Sequence, residues 1–148
     1  MTTGIDRLFG NIKKNIAEIR GVTLSDFADP SEISPVYNRA ALICALDIIL
    51  HEHRKKFGNQ LNELKGKQAL HHKLLIKYKW PLSVIRELTL SDVILALQDE
   101  LQIEDLPSGA GDYLSQVVGS HYLINFPDYL DSEWDPDLSA KYLVEIER

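Results

Sequence analysis

Eleven consecutive residues, Ala40 to Leu50, carry one charged side chain, Asp47, in the longest apolar run of the sequence. On a helical wheel Leu42, Ala45, Leu46, Ile49 and His53 share one face. Cys44 and Ile48 widen it, leaving a narrow polar seam of Asp47, His51 and Arg54. A helix apolar over most of its circumference has to be covered on more than one side. The run therefore predicts a central helix over about 35–57. Ser34-Pro35 reads as its start, with a hydroxyl to cap N–H groups and a residue with no N–H to satisfy. Arg54, Lys55 and Lys56 before Gly58 read as its stop.

The remaining periodicity is helical too. Ile5, Leu8, Phe9, Ile12, Ile16 and Ile19 predict an amphipathic helix over 4–20. Residues 22–33 read as a link that ends at Asp29-Pro30. A third helix is expected over 59–79, weakened at Gly66 by about 1 kcal/mol relative to alanine and closed by Trp80-Pro81. Residues 81–86 read as short turns. Thr89 and Asp92 form a capping signature for a helix running to about Leu101. Residues 106–111 read as a loop, Tyr113 to Leu123 as a helix, and 136–146 as a last helix, with a strand at 142–146 as the alternative. The expected fold class is all-α: one domain over 1–148, a compact bundle of five or six helices around the central one. Its length of 148 residues is ample for a single core.

Several function classes find no support. The lone cysteine, Cys44, forms no internal disulfide and sits in the apolar run, where a small buried hydrophobe is the plain reading. No charged and apolar leader opens the chain, and no apolar run approaches the roughly 20 residues of a membrane helix. The expected compartment is the cytoplasm, with no membrane partner. No nucleotide-binding glycine loop, hydrolase elbow or zinc-protease motif occurs. Ser108-Gly109-Ala110-Gly111 lacks the lysine and the strand of a phosphate loop. No cofactor, metal or catalytic residue is assigned, and the chain is read as a non-enzyme.

The net charge of −6 conceals a partition. Residues 51–86 hold nine Lys/Arg against two Asp/Glu, and residues 87–148 hold two against fourteen. Such asymmetry speaks about partners. In the acidic part Asp128, Asp131, Glu133 and Asp135 alternate with Tyr129 and Trp134, beside Phe126. Rings supply buried anchors and carboxylates steer encounter with cations, so this stretch is the expected docking surface for a basic protein partner. The concrete expectation is a non-catalytic interaction module of the immunity, antitoxin or phage-inhibitor type, occluding a cationic nuclease or nucleic-acid-binding protein.

Two other readings compete. Lys65, Lys67, Lys73, Lys77 and Lys79 form a basic stretch suited to phosphates. The helix that follows, however, carries Asp92, Asp99 and Glu100 and no cation, which a nucleic acid would repel. A helical metal-dependent hydrolase could assemble a site across helices, for example from Asp47, His51 and His71. His51 and His53 point about 160° apart on a regular helix and cannot share an ion.

Overall fold

The computed structural model describes residues 3–143, with side chains from residue 4. Among these the chain is all-helical, with no strand. Six α-helices are described, α1 (Thr3–Arg20), α2 (Pro30–Phe57), α3 (Lys67–Tyr78), α4 (Leu82–Ile85), α5 (Leu90–Ala96) and α6 (Ser108–Gly119), with one short 3-10 turn between α5 and α6 and two after α6. The α2 helix is the axis. It packs against α1, α3 and α6, and its run from Ala40 to Leu50 is buried except at Leu42 and Ile49, which are half-buried. By length and composition α2 would also pass for a membrane span, contrary to expectation. Most of that window lies inside the bundle, as in the core helix of a folded domain.

The start of α2 lies five residues earlier than expected. Asp29 is the cap, its carboxylate accepting from Ser31 N–H at 2.9 Å, and Pro30 is the first helical residue. Asp29-Pro30 and Ser34-Pro35 are equivalent start signals in sequence. The first one wins, and Pro35 is absorbed inside the helix. Ser34 is released from capping and becomes fully buried.

The third helix is shorter than expected. Asn59 bends 59–66 into a link, its carboxamide oxygen accepting from Leu61 and Asn62 N–H. Leu64 and Gly66 take positive φ, +59° each, which ends helical propagation. Arg54 holds this link to α2 by donating to the carbonyls of Leu64 and Gly66, both at 2.8 Å. The α5 start matches expectation: Thr89 Oγ1 accepts from Asp92 N–H and the Asp92 carboxylate accepts from Thr89 N–H. The helix stops at Ala96 rather than Leu101, where 97–100 become turns. The α6 helix begins at Ser108, so the glycine-containing stretch is its first turn, not a loop. Gly111 is required there, since a Cβ would lie 2.9 Å from the Ile103 carbonyl oxygen. The helix ends at Gly119, short of Leu123. Of the expected last helix only a 3-10 turn, Leu138–Lys141, is seen, and the expectation for Ile146 falls outside the described residues.

Candidate functional site

The acidic, aromatic segment 126–137 folds back across α1 and α2. Two arginines hold it. Arg39, on α2 and buried, donates to Phe126 O at 3.0 Å, Asp128 O at 2.9 Å and Glu133 Oε1 at 2.6 Å. Arg20, at the end of α1, donates to Glu133 Oε2 at 2.9 Å, Asp128 Oδ1 at 2.8 Å and Asp128 O at 2.8 Å. Their guanidinium planes also cover rings, Arg20 on Phe126 at 4.3 Å and Arg39 on Tyr129 at 4.1 Å. Glu133 is fully buried, and its Oε1 also accepts from Leu130 N–H. A carboxylate so placed is tolerable only because two cations and an N–H surround it. Burial pulls the Arg20 guanidinium down, but its bonds to Glu133 and Asp128 prevail and raise it. The same Arg20 contact holds Asp128 below the usual carboxylate range.

Each predicted docking residue thus has a place inside the chain. Trp134 is buried, and its indole N–H donates to Asp47. Tyr129 is half-buried beneath Arg39. Asp131 is exposed, yet its Oδ1 accepts from Leu90 N–H at 2.8 Å and caps α5 from outside. Asp135 is exposed and accepts from Asp137 N–H at 3.0 Å. Glu133 and Trp134 are therefore not offered to an external partner, a correction to the expected surface. The reason is physical: the arginines that such a segment seeks are supplied by α1 and α2 of the same chain. Arg20 and Arg39 were the missed signals, two isolated cations in otherwise apolar helical faces.

Beneath this segment lies the polar seam of α2. Burial pushes the Asp47 carboxyl up to about 7, against the Trp134 hydrogen bond and the Arg54 charge, with Asp135 adding to the rise. Beside the seam opens a cleft of about 670 Å³ lined by His51, Arg54, Lys65, Gly66, Asp137 and Ser139 among others. Its charges are mixed. The Asp137 carboxylate lies at the start of α3, against Gly66.

The basic stretch is partly neutralised by the chain itself. Lys77 Nζ contacts Asp99 at 2.7 Å and Glu100 at 2.8 Å, and Lys73 Nζ contacts Glu100 at 2.5 Å. Burial opposes ionisation of Glu100, but the two lysines win and hold it low. Lys65 lies 3.3 Å from Glu63. Lys67 and Lys79 are exposed. For the metal reading, Asp47 is engaged by Trp134 and His71 sits on α3, and no three His, Cys, Asp or Glu among the described residues are grouped to hold an ion. His53, expected on the apolar face, is buried there, its Nε2 2.8 Å from His72 Nδ1. Burial, Lys73 and His72 lower its pKa to about 4, so the His53 ring serves as packing at neutral pH.

No protein-family model, curated protein or solved structure matches the chain.

Proposed function

We propose that this chain is a non-catalytic cytoplasmic interaction module that binds a basic protein partner. One observation carries the reading: among the described residues past 86, exposed carboxylates far outnumber exposed cations, while four cations from earlier in the chain are drawn into internal ion pairs. Lys73 and Lys77 are held by Asp99 and Glu100, and Arg20 and Arg39 by Glu133. Glu104, Asp105, Asp112, Asp135 and Asp137 stand exposed. A body with this polarity attracts cationic surfaces and repels phosphates. An inhibitor that covers a cationic nuclease or nucleic-acid-binding protein is the concrete form, acting by charge mimicry and steric blockage.

The test is affinity capture from the host, washed at rising ionic strength. Basic proteins released by salt are the expected result, because exposed charge pairs are screened. Capture of neutral or acidic proteins alone removes the reading. A mobility shift of DNA or RNA at low salt, lost on Lys67→Glu with Lys79→Glu, replaces it with the nucleic-acid alternative.

A further inference from the structure

Between α6 and the arginine-held segment, residues 120–125 form no regular helix, and three successive apolar side chains there face outward. Tyr122 is 58% exposed, Leu123 83% and Ile124 40%. Loops commonly expose one apolar group, and three in succession are unusual. Their backbone is pinned from below. Asn38 Nδ2 donates to Tyr122 O at 2.8 Å and to Ile124 O at 2.9 Å, and Ser34 Oγ accepts from Tyr122 N–H at 3.1 Å. Ser34 and Asn38 are both buried on α2. Two polar side chains are thus withdrawn from water to fix a segment whose own side chains bury little. Burying polar groups costs stability unless they are bonded. Here the bonds go to a ridge whose shape is set before any partner arrives, which lowers the ordering cost of binding.

The surroundings select the partner. In the link that enters α2, Phe27 is 99% exposed. Phe126, two residues past Ile124, shares a groove of about 540 Å³ with Val22, Ala28, Glu32 and Pro35. Asp26, Asp29 and Glu32 are exposed on that link and on the first turn of α2. The nearby cations are occupied: Arg20 and Arg39 by carboxylates, and Lys13 over the rings of Phe9 and Tyr37. Like charge around the ridge opposes a second copy of this chain, and opposite charge favours a cationic surface.

We infer that the ridge Tyr122–Leu123–Ile124, with Phe27 beside the start of α2, is the docking surface for a protein segment that combines apolar anchors with Lys or Arg. This rests on the basic-partner reading above and gives it a location. The probe is a random 16-residue peptide library displayed on phage, selected against the full chain. Peptides rich in Lys or Arg around aliphatic or aromatic anchors are expected. Their affinity should fall at least tenfold on Leu123→Asp and remain on Leu95→Asp, another exposed apolar site, on α5. Amide shifts of residues 122–124 on peptide addition provide a readout that needs no variant. Enriched basic peptides insensitive to Leu123→Asp, with no shift at 122–124, overturn the ridge and leave the basic-partner reading standing. Enrichment of acidic or uncharged peptides, or of none, overturns both. Self-association that Leu123→Asp abolishes overturns the proposed occupant.

Discussion

The indole N–H of Trp134 donates to Oδ1 of Asp47 at 2.9 Å, joining positions 87 residues apart in the buried centre of the molecule. The second oxygen of Asp47 is buried with no hydrogen-bond partner among the described residues. A carboxyl so enclosed prefers its neutral form. Its folded pKa of about 7 lies above the ordinary 3.8. The folded state therefore holds a proton that the unfolded chain gives up. Stability from this group is full below about pH 4 and lost as pH rises towards 7. About 3 units correspond to about 4 kcal/mol at most. Asp47→Asn keeps an acceptor for Trp134 and removes the ionisation. The difference in melting temperature between wild type and Asp47→Asn should drift against the wild type from pH 4 to 7 and be flat above 8. A difference that does not vary with pH contradicts the assignment.

Glu133 is the keystone of the arginine pair. Glu133→Ala leaves the buried Arg39 without its carboxylate and Arg20 with Asp128 alone, an expected loss of about 3–5 kcal/mol. Glu133→Gln keeps the shape and should cost less. Urea unfolding of both variants measures the two losses, and near-neutral alanine replacement would show that the segment is held by its rings alone.

Gly66 takes φ +59°, and a Cβ there would lie 2.7 Å from Asp137 Oδ1. Gly66→Ala should destabilise by about 1–3 kcal/mol through backbone strain and this contact. Asp137→Ala in the same chain should recover the steric part. Strict additivity of the two changes, measured in a double-mutant cycle, would place the whole effect in the backbone.

Thr89 and Asp92 satisfy each other's N–H groups at the start of α5. Thr89→Ala should cost about 1 kcal/mol. The helix has seven residues, so the loss should appear as faster amide exchange over 90–96 before global unfolding changes.

Much of the bundle was legible because helical periodicity and caps are local. Residues 4–20, the Ala40–Leu50 axis and the Thr89 cap needed no distant partner to be read. Misreadings arose where two local signals were equivalent, as with Asp29-Pro30 and Ser34-Pro35. They also arose where an isolated glycine signal was ambiguous, as in 108–111. The role of the acidic segment was not legible, because Trp134 looks the same in sequence whether it meets a foreign surface or Asp47 of its own chain. The Tyr122–Ile124 ridge had a faint signal: three adjacent apolar residues after Gly119 cannot share one helical stripe.

The order of synthesis gives the arginine-held segment a further meaning. A ribosome delivers Arg20 and Arg39 long before Glu133 exists, so the first two helices emerge with buried-to-be cations and nothing to neutralise them. Completion of this part of the native state waits until Glu133 has been made. Products of premature termination before residue 133 lack the one anion both arginines require, and cellular proteases meet them as unfinished chains.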